Sequence, residues 1–337
     1  MSVLVTGASG FIALHVINQL LEQNYKVIGT VRSEAKAEKL NRQFNNPNLT
    51  IEIAPDIANL DAFDEVLKKH SSAIDAVIHM ASPLPSGNTD YETHYLIPAL
   101  NGVKGIMNSI KKYAPHSVKR FVLTSSLAAI IDLKKMDGSE IFNEKSWNPI
   151  TWEEAQTSTM MAYCGSKTFA EKAAWEFLKE NKDIIDFQMV VINPGVVYGA
   201  QLFAEDVGEH LNGSCESANK LLHTPADVKE TTKYEGEFIH VYDVAKAHVL
   251  AIQREDLVGK RLLLTNHGYS HQSSLNSMNK QFPQLKGVIP PYVSGEDEVP
   301  SICDSSVTKK LLGFPFKTYD EALYDLVHQV LKKEGRL

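Results

Sequence analysis

Through its first 195 residues or so, the chain alternates short apolar runs with longer amphipathic stretches, and this restricts its fold more than any other feature. The strand-length runs are SVLVT, YKVIGTV, LTIEIA, DAVIHM, RFVLTS and FQMVVIN. Between them lie HVINQLLEQ, DAFDEVLKKH and GVKGIMNSIKKYA, whose apolar residues recur at helical spacing. Almost continuous apolar strands suit a parallel sheet covered on both faces, and every parallel crossover needs a connecting helix. The expected class is α/β: a doubly wound parallel sheet of Rossmann type.

After NPGVVYG the texture loosens. Residues 200–235 are polar and irregular, EFIHVYDVAKAHVLAIQ and KRLLLTN resume a strand–helix–strand pattern, and from about 266 the chain is irregular until a final amphipathic helix, YDEALYDLVHQVLKKEG. This predicts a main domain from 1–195 plus 236–265, with a smaller discontinuous C-terminal substrate region from 196–235 plus 266–337. Open sheets bind ligands beyond the carboxyl ends of their strands, where such a region would wall a cleft.

Several function classes are disfavoured. A formal charge of −7 over 337 residues offers no footprint for nucleic acid or an anionic membrane. Cys164, Cys215 and Cys303 are far apart and form no CxxC, which argues against a disulfide framework or a zinc site. Among the histidines, His79, His240 and His248 lack ligand spacing, so they are expected to be structural or surface groups and no metal is expected. No apolar run approaches the ~18 residues that cross a bilayer. MSVLVTGASG enters a strand directly, without a signal peptide's basic and apolar regions. A soluble, cytoplasmic protein is expected.

VLVTGASGFIALHVINQLL reads as strand, glycine turn and helix. Gly7 and Gly10 allow a tight turn that brings backbone N–H groups to a pyrophosphate at the positive helix end, with Ala13 where a third glycine often sits. The next strand then discriminates between cofactors. An NAD site usually carries an acid at its tip for the ribose 2′-hydroxyl, whereas this chain has GTVRSEAK, with Arg32 at the tip and Lys36 a helical turn later. Two cations there suit a 2′-phosphate, so NADP is the expected cofactor.

In MMAYCGSKTFAEKAAWEF, Tyr163 and Lys167 are four residues apart on one helix face. A neighbouring ammonium and a positively charged nicotinamide would favour the phenolate. Moving a tyrosine from ~10 to ~7 takes about 4 kcal/mol of differential stabilisation. Spacing alone does not single this pair out, because Tyr242 and Lys246 repeat it in HVYDVAKAH. Only the first pair follows a strand ending in hydroxyls, Thr124, Ser125 and Ser126, and precedes one ending INPGVVYG. Tyr163 is therefore the expected proton donor and Tyr242 a structural residue, with Asp243 beside it as a helix-start acid.

Ser126, Tyr163 and Lys167 with the N-terminal TGASGFIA resemble the extended short-chain dehydrogenase/reductases. HMASP, IPALNGVKGIMNSIKKYA, FNEKSWNP, FIHVYDVAKAH and TKKLLGF extend the likeness over nearly the whole chain, toward the dihydroflavonol 4-reductase-like branch. Within it the chain is similar to the yeast NADPH-dependent carbonyl reductases that act on methylglyoxal, 3-methylbutanal and assorted ketones. The resemblance implies a catalytic Ser126, Tyr163 and Lys167. It puts Gly7, Ala8, Ser9, Gly10, Phe11 and Ile12 on the pyrophosphate, and Arg32 and Lys36 on the 2′-phosphate. Asp56 and Ile57 would lie near the adenine, Ala81 and Ser82 along the ribose, Tyr163 and Lys167 at the nicotinamide ribose, and Val197 and Ser214 toward the carboxamide. Leu84, Leu127, Ile131, Met160 and Val196 would form an apolar substrate wall, for a small-molecule carbonyl substrate.

Two rivals share this fold. Sugar-nucleotide epimerases and dehydratases are one; the dehydratases place an acidic pair after the strand serine, where this chain has apolar SSLAAII. A redox sensor that holds NADP without turnover is the other, and such proteins tend to lose the Tyr/Lys pair that this chain keeps. Trp147 and Trp152, in the insert before the tyrosine helix, are most simply packing anchors. Members of this fold often dimerise through the helices carrying Asn101 and Tyr163, so a monomer or homodimer is expected.

Overall fold

A computed structural model describes residues 1–82, 87–229 and 232–337. Its main sheet has seven strands in the spatial order β3-β2-β1-β4-β5-β6-β9. They are β1 (Ser2–Thr6), β2 (Lys26–Val31), β3 (Leu49–Ile53), β4 (Ala76–His79), β5 (Arg120–Thr124), β6 (Gln188–Pro194) and β9 (Arg261–Leu264). Strands β1 to β6 pair in parallel, with Thr6 opposite both Thr30 and His79. The crossovers carry α1 (Phe11–Glu22), α2 (Glu34–Phe44), α3 (Asp64–His70), α4 (Ile97–Tyr113) and α5 (Thr159–Asn181).

The burial pattern explains why the strands read as unbroken apolar runs. Leu4, Ile28, Val77, Phe121 and Met189 share a core with Val103, Ile106 and Ile110 of α4 and Ala170 and Ala174 of α5. Their neighbours Val3, Val5, Ile78, Val122 and Val190 point to the opposite face by strand alternation and are equally buried. The expected doubly wound sheet is therefore what forms, with strand ends within one or two residues of the apolar runs.

The chain divides into two compact units: 1–134, 144–193 and 245–262, and then 135–143, 194–244 and 263–337. The second has a three-stranded sheet in which β8 (Gly236–His240) lies between β7 (Val196–Tyr198) and β10 (His267–Tyr269). The strand at 236–240, expected in the main domain, thus joins this small sheet. Tyr198, Phe238 and Tyr269 of these strands cluster with Tyr319, with ring centroids 5.0–6.4 Å apart; Tyr198 and Phe238 are near-parallel, and most of the other pairs meet edge to face. A Cβ on Gly195 would stand 2.3 Å from the carbonyl oxygen of Glu237, so only glycine lets these two backbones approach.

Helix α7 (Val241–Gln253) forms where the returning pattern predicts it. Three helices occupy stretches that read as irregular: α6 (Gly213–Leu222), α8 (His271–Gln281) and α9 (Ser306–Leu312). Helix α8 shows why. Of its eight buried residues only Leu275 and Met278 are apolar; Gln272, Ser273, Ser274, Asn276, Ser277 and Asn279 are polar, so its apolar stripe is too short to stand out in the sequence. Those side chains hold a neighbouring loop instead: Gln272 donates to the carbonyl of Pro291 (3.0 Å), Asn279 to that of Pro290 (2.8 Å) and Asn276 to that of Val293 (2.7 Å). The C-terminal helix α10 (Tyr319–Lys333) is the expected amphipathic one, with a capping box at Thr318 and Glu321.

Candidate active site

The cradle begins where β1 ends. Thr6 Oγ1 accepts the backbone N–H groups of Met80 (3.0 Å) and Ala81 (3.1 Å), tying the ends of β1 and β4 together. Gly7 follows at φ +67°, and a Cβ there would stand 2.9 Å from the Ala81 Cα, so glycine is required twice over. Ala8 is buried and donates its N–H to the Thr30 carbonyl at 2.9 Å; Gly10 closes the turn on the Gly7 carbonyl at 2.9 Å. No side chain caps α1, which leaves the first-turn N–H groups of Phe11 and Ile12 facing outward at the positive helix end. This is a site shaped for a pyrophosphate, with Ser9 half-buried in the turn.

Arg32 follows β2, and Lys36 lies in the first turn of α2. Burial, followed by the charge of Arg32, holds the Lys36 ammonium below its ordinary value. Two cations this close favour an anion between them, so these residues fit a 2′-phosphate. Asp56 follows β3 and accepts the Ala58 N–H at 2.9 Å, while Ile57 lies against Gly102 of α4. Ala81 and Ser82 follow β4.

The catalytic candidates meet at the carboxyl ends of β4 and β5. Ser126 caps a short 3₁₀ turn, Leu127–Ala129, by accepting the Ala128 N–H at 3.1 Å. Helix α5 starts at the Ser158 cap and carries Tyr163 and Lys167 on one face. The Tyr163 hydroxyl donates to Ser126 Oγ at 3.2 Å, and Lys167 Nζ donates to Ser82 Oγ at 3.1 Å.

The electrostatics depart from the expected lowering of the phenol by its lysine. Burial raises the Tyr163 pKa, opposed only by the bond to Ser126, and burial pushes Lys167 down to about 8. Lys167 Nζ is 5.9 Å from the centre of the tyrosine ring and bonded to Ser82, so its charge does not offset the desolvation of the phenol.

Behind the pair lies a network that motif reading missed. Glu171, one turn beyond Lys167, is fully buried. Its Oε2 accepts from Ser125 Oγ (2.6 Å) and Asn193 Nδ2 (2.8 Å), while Arg261 Nε donates to its Oε1 (2.6 Å). Asn193 Nδ2 also donates to the Ser126 carbonyl at 3.2 Å. Arg261 donates further to the carbonyls of Glu144 (3.0 Å) and Ser146, and its guanidinium lies 3.9 Å from the centre of the Trp147 ring. One buried ion pair thus fixes the ends of β5 and β6 and the insert before α5. The spacing Tyr163, Lys167, Glu171 was the available signal: a third polar residue on the same helical face.

The remaining candidates are placed as follows. Val197 is buried in β7, and its carbonyl accepts from Ser214 Oγ of α6 at 2.7 Å. Leu127 and Ile131 are buried, Val196 is partly buried, and Met160 is 59% exposed. Leu84 lies outside the described residues. Tyr242, the second tyrosine, is 46% exposed at the start of α7, and Asp243 in that first turn accepts the Lys317 N–H at 2.7 Å. Trp152 donates to Glu92 at 3.0 Å and packs on Phe169. His79, His240 and His248 lie within hydrogen-bonding distance of Thr6, Asp325 and Thr124 respectively. Among the described residues no cluster of three or more His, Cys, Asp or Glu side chains could hold a metal, and no helix is long and apolar enough to cross a membrane.

Comparison with known proteins agrees with this architecture. Residues 3–263 match the NAD dependent epimerase/dehydratase family. An uncharacterized oxidoreductase of Saccharomyces cerevisiae is 53% identical, over 100% of this chain and 99% of its own. The NADPH-dependent methylglyoxal reductase GRE2 of the same yeast is 49% identical over 100% of both chains. The crystal structure of yeast methylglyoxal/isovaleraldehyde reductase Gre2 complexed with NADPH superposes with a TM-score of 0.96, covering 100% of each chain at 49% identity. With a family match over most of its length and relatives this similar from end to end, the chain belongs to the NAD dependent epimerase/dehydratase family, the extended short-chain dehydrogenase/reductases.

Proposed function

We propose that this protein is an NADPH-dependent carbonyl reductase acting on small apolar aldehydes and ketones, with Ser126, Tyr163 and Lys167 as its catalytic residues. The observation that carries the reading is the Tyr163–Ser126 hydrogen bond of 3.2 Å, with Lys167 on the same helical face. It is supported by end-to-end similarity to a methylglyoxal reductase.

The Gly7–Gly10 cradle, Arg32 and Lys36 would hold the cofactor, with Asp56, Ile57, Ala81, Ser82, Val197 and Ser214 along its length. When bound, NADPH supplies the hydride that reduces the carbonyl carbon. Ser126 Oγ hydrogen-bonds the substrate oxygen and stabilises the charge growing there, as an oxyanion donor does. Tyr163 gives its phenolic proton to that oxygen, the O–H bond passing from tyrosine to product alcohol, and is reprotonated from solvent. Because burial raises the tyrosine, its proton is held firmly until negative charge develops beside it. Lys167 contributes positive charge and orients the ribose.

The side chains after Ser126 are apolar: Leu127, Ala128, Ala129, Ile130 and Ile131 are all buried. A sugar dehydratase needs an acidic pair there, so the sugar-nucleotide reading is disfavoured. An unpaired carboxylate would be costly beside them, whereas each buried substrate methylene gains about 0.8 kcal/mol. We place the protein in the cytosol, as a monomer or homodimer. The test is to mix purified protein with NADPH and, in turn, methylglyoxal, 3-methylbutanal and a UDP-sugar, following loss of the reduced cofactor. Consumption with the first two and none with the sugar is expected; no consumption with any carbonyl would reject the reductase.

A further inference from the structure

Lys167 lines a small cavity of about 20 Å³ together with His79, Ser82, Thr124, Ser125, Ser166 and Glu171. That is room for a single water, which needs roughly 10–15 Å³ of this kind of volume and 2–4 polar partners.

The hydrogen bonds around His79 fix what it presents there. Thr6 Oγ1 accepts from both Met80 N–H and Ala81 N–H, which occupies its lone pairs. Its own hydrogen therefore goes to His79 Nδ1, 2.9 Å away. Nδ1 is then an acceptor, and the neutral ring carries its proton on Nε2. The ring stays neutral because burial, followed by the Lys167 charge, pushes its pKa down to about 3. His79 is 1% exposed, and Nε2 has no hydrogen-bond partner among the described residues.

The opposite wall consists of acceptors. The Ser125 hydroxyl donates to Glu171 and the Ser166 hydroxyl to the Tyr163 carbonyl, leaving both oxygens as acceptors. Two N–H donors on one side argue against a cation, and Glu171 argues against an anion. The lining matches a molecule with two acceptor and two donor positions.

We propose that this cavity is a one-water site whose water accepts from His79 Nε2–H and Lys167 Nζ and donates toward Ser125 Oγ and Ser166 Oγ. His79 is thereby a positioning residue: through the water it holds the buried ammonium where Tyr163 and the ribose meet it. The proposal rests on Lys167 having that role. The groups facing the ammonium are His79 from β4 and Tyr163 and Glu171 from α5, the last already paired with Arg261 of β9.

Two measurements test it without turnover, so they stand apart from the question of activity. A high-resolution crystal structure of the NADPH complex should show one water within about 3 Å of both His79 Nε2 and Lys167 Nζ. A cavity without water, or one filled by a cofactor atom, would overturn the proposal. In the same complex, NMR titration of the lysine side chains should place Lys167 about one pH unit lower in His79→Leu than in the native protein, since the ammonium loses a partner. His79→Gln, whose amide N–H reaches the Nε2 position, should restore it. An unmoved Lys167 titration in His79→Leu counts against the proposal. If that variant does not fold, the water in the native crystal decides.

Discussion

Arg261 and Glu171 form an ion pair of 2.6 Å with side chains 8% and 0% exposed, directly behind the Ser126–Tyr163 hydrogen bond. Buried pairs of this kind add little net stability over an apolar replacement, but breaking one strands a charge.

Arg261→Met should therefore destabilise the protein by about 3–5 kcal/mol in urea unfolding, because Glu171 is left buried without its partner. Arg261→Met combined with Glu171→Leu should recover most of that loss. The double variant should still reduce carbonyls slowly, since Ser125 and Asn193 lose the acceptor that orients the ends of β5 and β6. Full recovery of kcat would show that the pair serves stability alone.

The two tyrosines can be separated by deleting one oxygen from each. Tyr163→Phe should lower kcat by roughly 10²–10⁴-fold, the usual contribution of a general acid, while NADPH still binds. Tyr242→Phe, at an exposed helix start, should leave kcat within about twofold. Steady-state kinetics with fluorescence titration of NADPH distinguish the outcomes.

Cofactor choice should follow Arg32 and Lys36. A charge-assisted hydrogen bond is worth about 1.5–3 kcal/mol, so Arg32→Asp should cost NADPH at least tenfold in kcat/KM while affecting NADH far less. Equal use of both cofactors by the native protein would contradict the assignment.

Burial of Lys167 also predicts how stability depends on pH. Its folded pKa, about 8, lies below the ordinary 10.5, so between these values the unfolded chain binds more protons than the folded one. The cost of burying the ammonium is therefore largest below about pH 8 and fades as pH rises toward 10.5. Lys167→Met should raise Tm at pH 7, with the difference from the native protein narrowing by pH 9.5. Calorimetry across that interval reads the effect, and a gap that widened with pH would reverse the sign argued here.

Substrate preference tests the proposed apolar wall. Leu127→Ala and Val196→Ala are expected to alter the enantiomeric ratio of the alcohol more than the total rate. Across a homologous ketone series, native kcat/KM should rise with chain length before steric limits set in. Chiral chromatography of the products checks both.

The parts of the molecule that were legible in the sequence are those whose residues announce their own environment. Strands buried on both faces must be apolar throughout, and a turn as tight as Gly7–Gly10 admits few other residues, so the sheet and the cradle could be read directly. The Tyr163–Lys167 pair was separable from Tyr242–Lys246 because its neighbouring strands end in hydroxyls and in NPGVV. Glu171, Arg261 and Asn193 were not legible, since a charge buried with its partner looks the same in sequence as one in solvent. The partners here are 90 and 22 positions from Glu171 along the chain. Helix α8 was hidden for a related reason: apart from Leu275 and Met278, its inward face is hydroxyl and amide.

That inward face has a thermal consequence. Exposing apolar surface raises the heat capacity of unfolding by about 0.45 cal/K/mol per Å², whereas exposing polar surface lowers it by about 0.26. The packing of Gln272, Ser274, Asn276 and Asn279 against the 290–293 loop and Tyr319 therefore contributes little curvature to stability as a function of temperature. The polar part of the α8 attachment should weaken almost linearly on warming and hold its strength in the cold, where apolar packing, including that of Leu275 and Met278, loses part of its driving force.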